Sequence, residues 1–478
     1  MNTTLDFKEK TKTLIDDLKS VCANYGLGND GNEFKIITQV FLYKFLNDKF
    51  IHEVKQVKKN LSEADDIENK LKAFSKDEYE MLIMSMDENT AVLEPHHFIS
   101  HLYEKQNEAN YSQLFDKTLL DIAKINSEIF SVVTEDGEKI VLFDELSQYV
   151  TGKRDEFCKA LINKLVGFSF ENIFHEKFDF YATIFEYLIK DYNTNSGGKY
   201  AEYFTPHAVS KIMAKCLVQE DVSNVTCYDP SAGSGTLLMN LAHEIGEKKC
   251  TIYSQDISQK SSHLLRLNLI LNDLVHSIPH IIKGNTILDP YHKEKNGELQ
   301  KFDYIVSNPP FKLDFSDYQN DLDKKENKDR FFAGIPNIPK KKKNSMAIYQ
   351  LFLQHIVHSL NNKGKAAVVV PTGFITAHRG IDKKIRKVLA DRKIISGVVS
   401  MPSNIFANTG TNVSILFLDS QNDGDIVLID ASNLGQTIKS GKNQKTVLTR
   451  EEEENIIKAF KNKDEIDDFS VVINYGGL

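Results

Sequence analysis

Apolar residues at helical spacing fill the first part of the chain. Leu14, Leu18, Val21 and Tyr25 recur every three or four positions, which places them on one face of a helix. The same periodicity returns in residues 36–45, 75–89, 142–166 and 178–189. Because strand-like alternation of apolar and polar residues is scarce here, we predict an all-α N-terminal domain over residues 1–170.

The pattern changes after a Gly- and Asn-rich crossing at residues 193–198, where short apolar runs begin to alternate with helical segments. The runs predicted as strands are residues 225–228, 251–254, 278–282, 304–307, 366–370, 394–400, 414–418 and 425–429. The predicted helices are residues 209–217, 236–247, 258–272, 345–360 and 451–460. Such alternation builds a mostly parallel sheet covered on both faces, with ligands beyond the carboxyl ends of the strands. We therefore predict an α/β domain over residues 171–430 and a C-terminal helical segment over residues 431–478.

Composition is that of an ordinary globular protein. The chain has 478 residues, of which 41% are hydrophobic and 26% charged, so more than one domain is expected. It contains no apolar stretch of the roughly 18 residues that span a bilayer, and its start lacks the features of a signal peptide. Five scattered cysteines without a Cys-x-x-Cys pair predict free thiols and no zinc site. A cytoplasmic location without a membrane partner is expected.

The net charge of −8 is unusual for a protein that grips nucleic acid unaided, because phosphate contacts need clustered Lys and Arg. Residues 340–343 are four consecutive lysines and form one candidate patch. The same run is compatible with a solvated loop. Either this patch or a partner has to supply the electrostatics for binding DNA.

Asn308, Pro309, Pro310 and Phe311 follow the apolar run at residues 304–306. The lone pair of an exocyclic amine on a base is delocalised into the ring, so the nitrogen attacks poorly until acceptors draw its hydrogens out of plane. The Asn308 side-chain oxygen and the Pro309 carbonyl, held by two fixed φ angles, are suited to that task. Phe311 offers a face on which an extruded base stacks. The alternative is a stiff turn that ends a strand.

A second candidate loop begins at Asp229 and joins a predicted strand to a predicted helix. Its glycines allow a tight turn and a close ligand approach, and the start of the helix offers free N–H groups to an anionic group. The predicted binding residues are Asp229, Gly233, Ser234, Gly235 and Thr236. The loop lacks the third glycine of a dinucleotide fingerprint and the Lys of a phosphate-binding P-loop, so both of those sites are disfavoured.

Three further segments are candidate parts of the same binding site. Asp256 ends the next predicted strand, where an acidic side chain commonly accepts the ribose hydroxyls of an adenosine, although a helix N-cap is the alternative. Asn285 lies one strand further on and suits an adenine amino group or a simple turn. Upstream, Thr205 and Pro206 read as the cap and first turn of a helix. They end a segment comprising Ala201, Glu202, Tyr203, Phe204, Thr205 and Pro206.

Taken in order, residues 203–206, residues 229–235, Asp256 and residues 308–311 resemble the N6-adenine DNA methyltransferase family, specifically the modification subunits of type I restriction-modification systems. The similarity covers nearly the whole chain. It extends to residues 34–50, 178–187, 370–374, 401–406 and 409–415. The family often has Asp where Asn285 stands, which leaves the role of Asn285 open.

The resemblance implies a Rossmann-like, S-adenosyl-L-methionine-dependent methyltransferase domain behind the helical N-terminal domain. The cofactor is expected across residues 201–206, the loop after Asp229, Asp256 and Asn285, and the flipped adenine at residues 308–311. The implied function is site-specific adenine N6-methylation of double-stranded DNA. The implied partners are a specificity subunit that reads the sequence, a second modification subunit and, where the system includes one, a restriction subunit.

Two other functions stay open at this point. A protein glutamine N5-methyltransferase uses the same Asn-Pro-Pro-aromatic device, because an amide nitrogen poses the same lone-pair problem. A non-catalytic adaptor of a defence complex that keeps the fold is the other alternative. Under the main hypothesis the N-terminal domain and the C-terminal segment are candidate partner surfaces, since both carry amphipathic helices.

Overall fold

The structure is a computed structural model that describes residues 2–28, 30–63, 66–176, 178–194, 204–406, 411–422, 424–440 and 443–477. The chain divides into two compact units. The first unit comprises Met1–Val132 and Lys139–Asn195, and the second comprises Val133–Glu138 and Ser196–Leu478. No helix in the described ranges combines the length and the apolar character that a bilayer-spanning segment needs.

The first unit is built from helices, as predicted. They are α1 (Asn2–Asn24), α2 (Gly31–Val57), α3 (Ile67–Lys72), α4 (Lys76–Ser85), α5 (Ile99–Glu104), α6 (Tyr111–Ile125), α7 (Ser127–Phe130), α8 (Arg154–Val166) and α9 (Phe178–Thr194). Its core is rich in aromatic residues: the rings of Phe41 and Phe45 meet that of Phe170 edge to face at 5.3 and 5.5 Å. The helix predicted over residues 142–166 begins only at Arg154.

The boundary between the units lies later than the predicted one at 170/171, because α9 belongs to the first unit. One face of α9 packs on α1. Lys19 Nζ lies 2.7 Å from Asp191 Oδ2, and the Tyr187 hydroxyl donates to Asp16 Oδ2 over 2.7 Å. These contacts join elements far apart in sequence, and periodicity within α9 does not reveal them.

The second unit contains a large mixed sheet. The strands of the chain are β1 (Val132–Thr134), β2 (Lys139–Ile140), β3 (Val225–Asp229), β4 (Cys250–Asp256), β5 (Ile281–Lys283), β6 (Phe302–Ser307), β7 (Leu360–Pro371), β8 (Ile395–Ser400), β9 (Val413–Asp419), β10 (Asp425–Asp430), β11 (Gln436–Ser440), β12 (Asn443–Val447) and β13 (Ser470–Asn474). In the second unit neighbouring strands follow the order β13, β10, β8, β9, β7, β6, β3, β4, β5, β1. Strand β9 runs antiparallel to β7 and β8, and β13 runs antiparallel to β10. The other pairs in this series are parallel, as the alternation of elements predicts.

Helices cover both faces of this sheet. They are α10 (His207–Leu217), α11 (Thr236–Ile245), α12 (Gln259–Leu271), α13 (Gln319–Leu322), α14 (Tyr349–Ser359), α15 (Thr372–Thr376), α16 (Gly380–Asp391) and α17 (Arg450–Asn462). Ala366, Val368 and Val370 of β7 share one buried cluster with Leu353 of α14 and Leu389 of α16. Ala367 and Val369 are buried on the opposite face, so residues 366–370 of β7 form a continuous apolar run.

The C-terminal residues 431–478 are not the helical segment that was predicted. They contain the β11–β12 hairpin, α17 and β13, and β13 extends the sheet by pairing with β10. Phe460 of α17 is buried against Phe417 of β9, with ring centroids 4.4 Å apart. The segment is part of the α/β unit because its apolar residues complete that core.

The strand order defines the position of a ligand site. From β3 the chain proceeds to β4 and β5 on one side, whereas β6 lies on the other side of β3. Cys227 and Tyr228 of β3 pair in parallel register with Tyr304 and Ile305 of β6, so the carboxyl ends of the two strands share an edge. Ligands of open α/β sheets bind at such a switch point. The loop after Asp229 and the Asn308 motif flank it.

Candidate active site

The loop after β3 is a tight turn held from several sides. Asp229 is buried, and its Oδ1 accepts from the Ser231 amide over 2.9 Å. Gly235 has a φ of +87° and caps α11, and a Cβ there would lie 2.2 Å from Cδ1 of the buried Leu265. The Asn268 side chain donates to the Ser234 carbonyl over 3.0 Å. Glycine is therefore required at position 235 by both conformation and packing.

Asp256 holds the same loop from the end of β4. Its Oδ2 accepts from the Gly233 amide over 3.0 Å, and its Oδ1 accepts from the Ser258 amide over 2.8 Å. The N-cap of α12 is Ser258, whose side chain accepts from Ser261. The alternative of Asp256 as the helix cap is therefore wrong, and the carboxylate instead joins two strand ends.

Asn285 serves a turn in this structure. Its side-chain oxygen accepts from the amides of Ile287 and Leu288 over 3.1 Å each. Its own amide donates to Glu135 Oε2 over 2.9 Å. This geometry supports the turn alternative, since the carbonyl oxygen of the side chain is engaged within the chain.

Glu135 is a site residue that sequence reasoning missed. The segment Val133–Glu138 adds to the edge of the sheet, where Val133 and Thr134 pair with Ile282 and Lys283 of β5. A Cβ on Gly284 would lie 2.4 Å from Glu135 Oε2, so the glycine allows the carboxylate to approach the backbone. Only the long-range pairing of β1 with β5 brings Glu135 here, and no local signal marks it.

The Asn308 motif meets the Thr205 segment directly. Asn308 Nδ2 donates to Thr205 Oγ1 over 3.2 Å, across more than one hundred residues of sequence. Within the described ranges the Oδ1 of Asn308 accepts no hydrogen bond. The prediction that Thr205 caps a helix is wrong, because Pro206 is the N-cap of α10 and has no side-chain cap bond. The Thr205 hydroxyl instead orients the amide of Asn308.

The neighbours of Asn308 are held in place by packing. Pro309 is buried, whereas Pro310 and Phe311 are partly exposed. The Phe311 ring contacts Tyr349 of α14 edge on, with centroids 6.0 Å apart and an interplanar angle of 71°. The Ser307 hydroxyl, one residue before Asn308, lies 2.8 Å from the Ser231 hydroxyl. That contact connects the two motif loops across the switch point.

The remaining predicted residues belong to the segment before α10 and to the start of α11. Phe204 is half-buried ahead of α10, and Thr236 is the first residue of α11, with its hydroxyl 3.3 Å from that of Ser234. Ala201, Glu202 and Tyr203 lie outside the described residues. The structure thus brings together Thr205, the loop after Asp229, Asp256 and Asn308 on one edge of the sheet.

Burial dominates the electrostatics of the two carboxyl groups. Desolvation raises the pKa of Asp229 to about 8, with a further contribution from Asp256, against the lowering effect of its Ser231 and Ser307 donors. Desolvation also raises the pKa of Asp256, although the Ser258 and Gly233 amides oppose it. Neither carboxylate forms a salt bridge with Lys, Arg or His in the part of the chain that the structure describes.

A chain of buried hydrogen bonds connects the turn after β5 to the end of β3, and it was not predicted from the sequence. Arg330 donates to the Thr286 and Ile287 carbonyls over 2.6 and 2.7 Å and to His355 Nδ1 over 2.9 Å. His355 Nε2 then lies 2.9 Å from the hydroxyl of Tyr228, which precedes Asp229. Burial lowers the pKa of Arg330 to about 10 and that of His355 well below its usual value. A single Arg in a Lys-rich stretch carries no local signal of such a role.

These features fit an adenosine-bearing, positively charged cofactor. Two desolvated carboxyl groups without a cationic partner favour a ligand that brings positive charge and hydroxyl donors. Gly233 and Gly235, both with positive φ, keep side chains out of the space above the turn. Asn308 Oδ1 and the Pro309 carbonyl supply two acceptors for a nucleophilic amine on the other side of the switch point.

The fold is that of a Rossmann-like, S-adenosylmethionine-dependent methyltransferase. The chain superposes on the type I restriction-modification system methyltransferase subunit from Streptococcus thermophilus with a TM-score of 0.76 and 23% sequence identity, covering 99% of this chain and 97% of that one. A profile of the N-6 DNA methylase family matches residues 176–476. The chain therefore belongs to the N-6 DNA methylase family.

Sequence relatives carry related names. The chain is 28% identical over 327 residues to the type I restriction enzyme MpnII methylase subunit of Mycoplasma pneumoniae. It is 28% identical over 311 residues to the MjaIX methylase subunit of Methanocaldococcus jannaschii. The matches cover 66% and 63% of this chain, but 58% and 52% of those proteins. The matched part therefore spans little more than half the length of either relative.

Proposed function

We propose that the chain is a site-specific DNA adenine N6-methyltransferase and acts as the modification subunit of a type I restriction-modification complex. The hydrogen bond from Asn308 Nδ2 to Thr205 Oγ1 carries the proposal. It ties the Asn-Pro-Pro-Phe motif to the segment before α10 and directs the amide oxygen of Asn308 away from the protein's own donors. An Asn that only ended a strand would have no need of this arrangement.

These residues are proposed to have different roles in the reaction. Phe311 stacks on the extruded adenine, and Asn308 Oδ1 with the Pro309 carbonyl accepts the two hydrogens of N6, which frees its lone pair for attack. Asp229, Gly233 to Thr236 and Asp256 hold S-adenosyl-L-methionine, which supplies an electrophilic methyl group when bound. These residues would position the N6 lone pair in line with the bound methyl group. As the N–C bond formed and the S–C bond broke, one N6 proton would leave to solvent. No residue is required as a covalent nucleophile.

The partners belong to the proposal as well. The net charge of −8 is poorly suited to independent sequence-specific DNA binding, so a separate specificity subunit and a second modification subunit complete the enzyme. A restriction subunit joins where the system encodes one. The free, buried state of all five cysteines fits a reducing cytoplasm, where host DNA lies.

Transfer of a labelled methyl group to duplex DNA tests the proposal. The chain is assayed with and without a specificity subunit from its own genomic neighbourhood, and DNA from cells that express both is sequenced for N6-methyladenine. We expect methylation of one motif that depends on the specificity subunit. Methylation of a protein glutamine instead of DNA, or failure to bind S-adenosyl-L-methionine in calorimetry, would establish one of the two alternative functions.

A further inference from the structure

The segment after Phe311, residues 312–345, packs on a small core that it shares with the flanking elements. Its buried residues pack with those of the flanking elements in a cluster separate from the main core of the sheet. The cluster includes Ile287, Phe315, Leu322, Phe331, Met346 and Ile348. A merely solvated loop would have no such core, so this segment is an ordered platform beside the Asn308 motif.

Two connections fix the platform to the candidate active site. The buried Arg330 anchors it to the carbonyls of Thr286 and Ile287, at the turn after β5. The Leu313 amide, two residues after Phe311, donates to the Met346 carbonyl over 3.1 Å. The platform therefore keeps a fixed position relative to the residues that hold the base.

The four lysines of residues 340–343, here called the lysine tetrad, lie on the outer turn of this platform. All four are exposed. Lys342 has a φ of 59°, which turns the chain sharply, and the Ser345 hydroxyl donates to its carbonyl over 2.7 Å. The lysine tetrad forms no salt bridge with any residue that the structure describes.

Two acidic residues of this segment have partners within it. Asp321 pairs with Lys324 at 3.3 Å, and hydrogen bonds from Ser316 engage Asp314 and lower the pKa of its carboxyl, with a smaller effect from Lys343. Residues 312–345 contain nine Lys and Arg but six Asp and Glu, in a chain whose net charge is −8. The segment that follows the Asn308 motif in sequence thus carries a formal net charge of +3 (nine minus six).

We propose that the lysine tetrad binds the phosphate backbone of the DNA strand that carries the target adenine, beside the extruded base. This inference rests on the proposed function, because it assumes that the substrate is DNA. Lysines on a rigid platform neutralise phosphates and release counterions without reading the sequence. The tetrad therefore fixes the register of the duplex, while a specificity subunit reads the sequence.

Salt-dependent binding of a fluorescein-labelled duplex by the chain in complex with its specificity subunit tests this inference. Anisotropy is measured at KCl concentrations from about 25 to 200 mM, where the slope of log affinity against log salt changes by about 0.9 for each phosphate contact. Lys341→Gln with Lys342→Gln is expected to reduce the slope by about 2, and replacement of all four lysines by about twice that amount. The same positions changed to Arg retain the wild-type slope, because the charge is kept.

Lys248→Gln with Lys363→Gln is the matched control. Both side chains are exposed and lie near the amino ends of β4 and β7, at the opposite edge of the sheet. This variant loses the same charge and keeps the wild-type slope. Equal slopes in all variants, weakened binding in the Arg variant, or no duplex binding by the unaltered complex overturns the inference. Methyl transfer with a specificity subunit is measured on the same preparations, so failure of the proposed function is recognised separately.

Discussion

The ends of β3 and β6 are adjacent on the sheet but are built in different ways. In the loop after β3, backbone amides donate to Asp229 and to Asp256 at the end of β4, and Gly235 fits against Leu265. At the end of β6, the side chain of Asn308 makes one hydrogen bond to the residues that the structure describes, to Thr205. The first loop is held by contacts within the fold and is also proposed to bind the cofactor, whereas the second leaves the Asn308 Oδ1 acceptor without a partner in the described ranges.

Because of this difference, the two loops are expected to respond differently to substitution. A change in the loop after β3 removes contacts that hold the fold, so its effects on stability and on cofactor binding are mixed. A change at Asn308 removes little from the folded state and therefore isolates the chemistry.

The largest effect is expected for Asn308→Ala. Loss of an acceptor that acts on the amine in the transition state lowers kcat by about 10²- to 10³-fold, by analogy with the removal of other preorganised hydrogen-bonding groups. The midpoint of thermal unfolding and the affinity for S-adenosyl-L-methionine stay near the wild-type values, because the side chain is not part of a core. Single-turnover methyl transfer, calorimetry and thermal denaturation measure the three quantities. Full activity in the variant removes Asn308 from the mechanism.

Gly235→Ala tests the stability of the loop after β3. The left-handed conformation penalises a Cβ by about 1–2 kcal/mol, and displacement of Leu265 adds to that, so the free energy of unfolding falls by about 2 kcal/mol or more. Urea denaturation followed by circular dichroism provides the measurement. Gly373→Ala is the control, because a Cβ there meets nothing within 4 Å and φ is not positive. Equal stability of the two variants contradicts the packing argument.

Much of this architecture was predictable from the sequence. Apolar runs marked β3, β4, β6, β9 and β10, and glycines with a following helix marked the cofactor loop. Residues 278–280 were wrongly included in β5, because Pro279 and its neighbours form a 3-10 turn. The first half of β7 was not predicted, because residues 361–365 are mostly polar.

The remainder depends on long-range pairing. The insertion of the antiparallel β9 between β7 and β8, the addition of β1 next to β5 and the pairing of β13 with β10 leave no local pattern. Glu135 reaches Gly284 only through that topology. The proposed role of Asn308 stays a prediction from one short motif, whereas its hydrogen bond to Thr205 is visible only in the folded chain.

The third prediction concerns pH. Burial raises the pKa of Asp229 from its ordinary value of 3.8 to about 8, so between these values the folded chain keeps a proton that the unfolded chain has released. The stability from this group is fully present below the ordinary pKa and is lost as the pH rises towards 8, by up to about 1.4 kcal/mol per pH unit. Asp229→Asn lacks this slope. Its free energy of unfolding, relative to the wild type, therefore rises between about pH 5 and pH 8.

Asp430→Asn is the control for this experiment. Hydrogen bonds from Ser432 lower the pKa of Asp430, so its contribution is present above the ordinary value and is lost only as the pH falls through the lowered one. Between pH 5 and pH 8 its stability difference from the wild type is flat. A flat difference for Asp229→Asn as well shows that Asp229 is already ionised in the folded chain.

The smallest effect is expected at the hydrogen bond between Asn308 and Thr205. Thr205→Val keeps the shape of the side chain but removes the acceptor for Asn308 Nδ2, so the amide is no longer held in one orientation. A hydrogen bond of this kind contributes about 0.5–1.5 kcal/mol, which predicts a decrease in kcat of up to about tenfold. Thr205→Ser keeps the hydroxyl and is expected to retain most of the activity, while cofactor affinity is similar in both variants. Combined with Asn308→Ala, the Val substitution adds nothing further, because its effect is exerted through Asn308. A full additional decrease in the double variant contradicts this coupling and assigns Thr205 a separate role.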